Sequence, residues 1–353
     1  MAGTILITGA NGSLAIHVVR HLLKNAPDHT LLLTVRDTSD GDQNTCALRD
    51  VVAKRSQQTQ VSIRQLNHSH LASVHKFSQD VSKEIADGDL PLLVSIVCNA
   101  YYWNLSRPLE KTDDGFEKTI QVAHLAHVAL VLRLLSSFHP QQAGRIVQFS
   151  TDAIFPGKNG LEKIPPAIPA DMELLAHPPP DPKNDTWAHG FQRYANAKLA
   201  AVMWIHALNR RLEKARQNLT PWIFFGLSVD LFVLQDPNFK HITAVAVHPG
   251  SLSDSRALRT NTPFTVQLLS KLIVQPLRPP LRLVDPSVRT SSDAGTDVAR
   301  LAINEASPNE RGHFVLLEKL ESSPDSLDEE EQEAMWRKSA EWVGLMPQDI
   351  PLA

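Results

Sequence analysis

Ile5-Leu6-Ile7-Thr8-Gly9-Ala10-Asn11-Gly12 is the stretch that decides the architecture. A short β-type run ends in a glycine turn. Ala15 to Leu23 then carries apolar residues at helical spacing and stops before Asn25-Ala26-Pro27. Strand, glycine turn and helix, in that order, open a dinucleotide-binding fold. Gly9 lets the turn close, Gly12 lets backbone N–H groups approach a pyrophosphate at the helix N-terminus, and Ala15 permits close helix–strand packing. On this reading Gly9, Asn11, Gly12, Ser13 and Leu14 bind the cofactor. An ordinary tight turn has the same glycines, so the rest of the chain must decide.

Outward from this stretch the chain alternates strand and helix. Thr30 to Val35 reads as the second strand, and Val61 to Leu66 as the third after a polar helical stretch near Cys46 to Gln57. Leu71 to Ile85 has helical spacing, and Leu92 to Ala100 is the near-continuous apolar run of a strand buried on both faces. Phe116 to Leu135 reads as a long helix, Arg145 to Phe149 as the next strand, Phe191 to Leu212 as a helix, and His241 to Val247 as a later strand. This pattern predicts an α/β protein with one doubly wound parallel sheet in a single domain over 1–353.

The end of the second strand meets the adenosine ribose in such folds. No carboxylate stands at Val35, and Arg36 is suited to pair with a 2′-phosphate, which favours NADP(H). Asp37 beside it keeps NAD(H) open.

The composition excludes several classes. The chain has 353 residues and a formal charge of −3, so nothing points to nucleic acid or an anionic membrane as a partner. Cys46 and Cys98 make no disulfide framework. No signal-peptide pattern precedes the first strand, and the apolar run Trp222 to Leu234 is short for a span and holds Asp230. That run reads as core or interface. A cytoplasmic protein without a membrane span is expected. His177, His189, His206 and His248 lack metal-ligand spacing, so no metal is assigned.

Five motifs stand in order: Thr8-Gly9-Ala10-Asn11-Gly12, Cys98-Asn99-Ala100-Tyr101, Phe149-Ser150-Thr151, Tyr194 with Lys198, and His248-Pro249-Gly250. Together they resemble the short-chain dehydrogenase/reductase family over about residues 4 to 255. The wording around Tyr194 and His248 is similar to retinol-dehydrogenase-like reductases and to reductases of fungal secondary metabolism. The resemblance implies hydride transfer between a nicotinamide and a substrate carbon, with Tyr194 as acid/base. Lys198 would lower the tyrosine's pKa and bond the nicotinamide ribose; i and i+4 share a helix face, so the two can meet. Thr151 would steady the substrate oxygen, with Ser150 as the alternative in register. Asn67, Asn99, Ala100, Pro249, Gly250 and Leu252 would line the cofactor cleft. Asp152 and Tyr101 would stand beside the substrate.

The family usually carries an asparagine on the long fourth helix that orders a proton-relay water. Here Ala123 falls at that position, and its neighbour His124 is the residue nearest to replace it. Tyr101 replaces a glycine, and Asn67 an aspartate near the adenine. The Pro-rich insertion 156–186 reads as ordered coil forming a lid, with Trp187 and Phe191 as apolar wall residues. The region 256–290 reads as a substrate-covering segment with an apolar face, and 321–353 as a C-terminal extension without a catalytic role. An apolar lid with little fixed charge points to a bulky small-molecule alcohol or ketone, terpenoid, steroid-like or polyketide. A homodimer stays open. Two other readings remain: an epimerase or dehydratase of the extended branch, and a dinucleotide-sensing regulator without turnover.

Overall fold

The computed structural model describes residues 2–182, 185–217 and 237–352. The run Trp222 to Leu234 therefore lies outside the described residues. Strands β1 (Thr4–Ile7), β2 (Thr30–Val35), β3 (Val61–Gln65), β4 (Leu93–Cys98), β5 (Gly144–Phe149) and β6 (Ile242–His248) fall within a residue or two of the expected runs. With β9 (Gly312–Val315) and β10 (Glu318–Lys319) they form a sheet in the order β10-β9-β6-β5-β4-β1-β2-β3. All neighbours pair parallel except β10 with β9. A small separate ladder joins β7 (Ser251–Leu252) to β8 (Val288–Arg289).

Strand alternation sends successive side chains to opposite faces, and both faces are covered. Ile5, Ile7, Leu31 and Leu33 pack beneath α1 (Ala15–Asn25), α2 (Gln43–Ala53) and, after the later helices, α10 (Ser291–Ala302). Leu6, Leu32 and Ile96 pack on the other side, under α3 (Leu71–Asp87) and the helix that runs from α4 (Lys118–Ile120) through a π-helical turn at Gln121–Leu125 into α5 (Ala126–Leu134). The 20-residue span Lys118–Ser137 is apolar enough to cross a membrane, with mean hydropathy 1.4, but 89% of it is buried inside the protein. It is a core helix.

The short α6 (Glu173–Ala176) is the only helix within the Pro-rich insertion among the described residues, and α7 (Thr186–Gln217) follows. The expected helix at Phe191 thus begins a turn and a half earlier, directly after the prolines. The insertion is strapped along α7: Trp187 Nε1 donates to Leu161 O at 3.0 Å, Gln192 Nε2 to Pro165 O at 3.0 Å, and Ala167 N to Asn196 Oδ1 at 2.9 Å. Arg193 pairs with Asp181.

Beyond the sheet lie α8 (Phe264–Leu269), α9 (Arg278–Val284) and α11 (Glu329–Trp342). The C-terminal extension is part of the core rather than a tail. Trp336 stacks on Trp204 of α7 with centroids 5.4 Å apart, and Met335 is fully buried. Glu333 is clasped by Arg210 and Arg211, whose guanidinium groups hold its carboxyl down at about 2.

Candidate active site

The strand order reverses between β1 and β4, and open parallel sheets bind ligands in the crevice at such a point. A cleft of about 630 Å³ opens there. Its floor begins at the glycine turn. Gly9 has φ +58, and a Cβ added to it would stand 3.1 Å from Ala100 Cα; one on Gly12 would stand 3.0 Å from Gly9 O. Side chains are excluded, so the backbone itself faces the cleft. Helix α1 starts at Leu14 with no side-chain cap and no acidic residue in its first turn. Ile16 N donates to Gly12 O at 3.0 Å and His17 N to Leu14 O at 2.9 Å, so it is the N–H groups of the turn ahead of Ile16 that face an anion. This cradle fits a dinucleotide's pyrophosphate.

Thr8 ties the turn to β4. Its oxygen accepts from Asn99 N at 2.9 Å and Ala100 N at 3.0 Å, while its hydroxyl donates to His127 Nε2 at 2.9 Å. His127 can accept there because its Nδ1–H donates to Ala123 O at 3.2 Å. Asn99 Nδ2 donates to Thr8 O and Gly9 O at 3.1 and 2.9 Å, so this side chain braces the turn as well as lining the cleft.

At the far end, β5 delivers Ser150 and Thr151, and α7 delivers Tyr194 and Lys198. Thr151 is the hydroxyl that lines the cleft with Tyr194: it draws the phenol's pKa down against burial and donates to Asp152 Oδ1 at 2.9 Å. Asn159 Nδ2 fixes that carboxylate at 2.8 Å. The hydroxyl of Ser150 is taken by His313 Nε2 at 3.1 Å, which removes it as the alternative in register.

The Tyr194–Lys198 pair differs from expectation. Lys198 Nζ donates to Phe149 O at 3.1 Å and lies 5.7 Å from the Tyr101 ring centroid. Burial lowers its pKa to about 8. The Tyr194 phenol is pushed up, first by burial and then by Tyr101, with Thr151 pulling the other way. In this state the Lys198 ammonium is turned to the Phe149 carbonyl, and it is not among the groups that shift the phenol.

The relay expectation also changes. Position 123 is alanine, and the π-helical turn frees its carbonyl, which accepts from His127 and from Gln148 Nε2 at 3.4 Å. His124 points away and bonds Ser339 Oγ at 2.7 Å; burial holds its pKa near 3. His124 cannot replace the asparagine.

All fourteen residues expected around the cofactor line the one cleft, from Gly9, Asn11, Gly12, Ser13 and Leu14 through Arg36 and Asn67 to Pro249, Gly250 and Leu252. Asp37 does not line it; it caps Ser39 N at 2.8 Å. Of the expected substrate contacts, Tyr101, Thr151, Asp152 and Phe191 are present, and Trp187 is not. Trp187 packs behind Phe191 and carries the strap, whose Asn159 and Leu161 reach the cleft instead.

Three contributors escape sequence reading. Trp103 stands edge-on to Tyr194 at 4.8 Å and donates to Thr262 Oγ1 at 2.8 Å. Asn44 sits near the adenosine end. Arg256 arrives from beyond β7, and its guanidinium bonds Asn44 and the carbonyl of Asn11. The aromatic run Tyr101-Tyr102-Trp103 was a usable cue; nothing local marks Asn44 or Arg256.

Comparison with known proteins supplies the family. A model described as the AcuH dehydrogenase domain matches residues 256–352. The dehydrogenase acuH of Aspergillus aculeatus is 42% identical over 85 residues, covering 24% of this chain and 87% of the relative. The chain belongs to the short-chain dehydrogenase/reductase family. The short-chain dehydrogenase iccH of Talaromyces variabilis is 25% identical over 99% of this chain and 98% of its own length. A crystal structure of an actinorhodin polyketide ketoreductase with NADPH shares the fold, with TM-score 0.54, 14% identity, and coverage of 89% and 95% of the two chains. As a member of this family the protein is an oxidoreductase of the NAD(P)-dependent class, which retires the regulator without turnover.

Proposed function

We propose that this enzyme interconverts a secondary alcohol and a ketone on a bulky, mostly apolar molecule, of terpenoid, steroid-like or polyketide type, in secondary metabolism. NADP(H) is the favoured cofactor. The observation that carries the proposal is that Thr151 and Tyr194 line one cleft together with the glycine turn, with Trp103 edge-on to the phenol at 4.8 Å.

When bound, the nicotinamide supplies or accepts the hydride. The residues do the rest. Tyr194, held as the neutral phenol, gives its proton to the substrate oxygen during reduction. The Thr151 hydroxyl turns from Asp152 to donate to that same oxygen, so two donors meet the developing charge. Lys198, with a pKa of about 8, is mostly charged at neutral pH and favours the phenolate left behind once it moves off Phe149 O. Burial keeps the resting tyrosine protonated, which suits the reductive direction. Trp103, Phe191 and Leu161 make the wall apolar and explain why a greasy substrate fits. Arg36 lines the adenosine end while Asp37 does not, which supports a 2′-phosphate. The site shows no feature specific to the epimerase or dehydratase reading.

A single fluorescence titration with parallel turnover assays tests this. Tyr194→Phe should bind NADPH as the wild type does and lose turnover by roughly 10²-fold or more. Arg36→Ala should weaken NADPH by about tenfold and leave NADH unchanged. Full activity in the phenylalanine variant would overturn the mechanism, and equal losses for both nucleotides would overturn the cofactor preference.

A further inference from the structure

The segment beside the cleft has an outer face whose large apolar side chains stand exposed among the described residues. Eight of the thirteen large apolar side chains exposed among the described residues lie between Phe264 and Val284. Phe264 is 73% exposed, Leu272 61%, Leu283 88% and Val284 87%. Only Val266 and Ser270 of this stretch are buried. A contiguous apolar surface of this kind marks an interaction site.

Charge narrows the partner. From Ser255 to Val284 the chain has five cations, Arg256, Arg259, Lys271, Arg278 and Arg282, and no aspartate or glutamate, although the whole chain carries −3. Arg256 turns into the cleft and Arg278 bonds Ser253 Oγ at 3.3 Å. Arg259 and Lys271 are exposed without an ion-pair partner among the described residues, and exposed Arg282 stands 3.8 Å from Asp293. The apolar helical stretch Phe264–Val274 is well short of the ~20 residues a membrane span needs. Apolar residues flanked by cations on a helix too short to span are suited to the plane of a lipid interface. Two copies meeting through this face would set these cations against each other, which disfavours self-association.

We propose that the outer face of the Phe264–Val284 segment docks on an anionic lipid surface. Val274 of the same segment lines the cleft, as do Leu258 and Thr260 just before it, so docking sets the mouth of the site against the lipid. An apolar alcohol or ketone dissolved there enters without crossing water. That consequence rests on the apolar-substrate reading; the docking itself does not.

Flotation of the full-length protein with vesicles separates the outcomes. One set is phosphatidylcholine alone, the other contains about 30% phosphatidylserine. Wild type should bind the anionic vesicles at least about tenfold more tightly than the neutral ones, and added salt should weaken the binding. The double variant Leu283→Asp/Val284→Asp should lose about tenfold or more, with its far-UV spectrum and NADPH affinity unchanged. Lys271→Glu should lose less, in the same direction. Absence of vesicle binding, or equal binding by wild type and the double variant, overturns the proposal. So does a wild-type dimer in the absence of lipid that the double variant splits, because the face is then a protein interface. Vesicle binding is read without turnover, so its failure leaves the hydride-transfer mechanism standing.

Discussion

Two stretches of this enzyme are apolar enough to stand out from the chain, and they meet opposite fates. Lys118–Ser137 is enclosed by α3, α7 and α11, and 89% of it is buried. Phe264–Val274 reaches the cleft through Val274, while Phe264, Leu268, Leu269, Leu272 and Ile273 are all exposed among the described residues. Apolar periodicity states that a face wants to leave water; it does not state which neighbour will cover it. The buried helix is covered by elements from three distant parts of the chain. The lid helix follows β7, in the small ladder that stands apart from the eight-stranded sheet.

Acid should expose this contrast most strongly. The core helix carries His124, held near pKa 3 by burial; His68 beside His127 and His313 on β9 are held near 4. Their folded pKa values lie below the unfolded value of 6.5, so the unfolded chain binds more protons below pH 6.5. Their contribution is fully present above pH 6.5 and is lost as the pH falls towards the folded values. By pH 5 the loss reaches up to about 6 kcal/mol for the three together. The segment 256–284 has no histidine and shares none of it. Urea midpoints at pH 7 and pH 5 measure the loss, and His124→Gln should flatten the difference by about a third. Identical midpoints would mean that these imidazoles are hydrated.

Leu130 of α5 is fully buried, and Leu130→Ala should cost about 2–5 kcal/mol of stability through lost transfer energy and a cavity. Leu272→Ser, on the exposed lid, should change stability by about 0.5 kcal/mol or less. Matched denaturation curves for the pair break the comparison if the two losses are equal.

The same division governs what could be read from the sequence. Strands β1, β2, β4, β5 and β6 were legible because strands covered on both faces leave dense apolar runs, β3 at the edge showed as an alternation, and the glycine turn, Thr151 and Tyr194 sit at fixed places relative to them. The state of the catalytic pair was not, because helical spacing puts Lys198 on the right face but does not show that Phe149 O captures its ammonium. The partner of His124 was hidden for a related reason: it is Ser339, more than two hundred residues away, on a helix that read as a tail. The Pro-rich insertion was recognisable as coil from its prolines, yet only Asn159 and Leu161 of it reach the cleft, and Trp187 holds it from behind. Arg256 acts through Asn11 and Asn44, contacts between opposite ends of the chain that no local pattern announces.

The central claim is hydride transfer from the nicotinamide to a substrate carbon at Tyr194 and Thr151. Incubation of the enzyme with NADPH deuterated at the transferable C4 position and a panel of bulky apolar ketones tests it directly by mass spectrometry of the alcohol formed. The expected product carries one deuterium on the carbinol carbon, and Tyr194→Phe forms none of it while still binding NADPH. A product formed without deuterium on that carbon, or formed equally by the phenylalanine variant, would contradict the account.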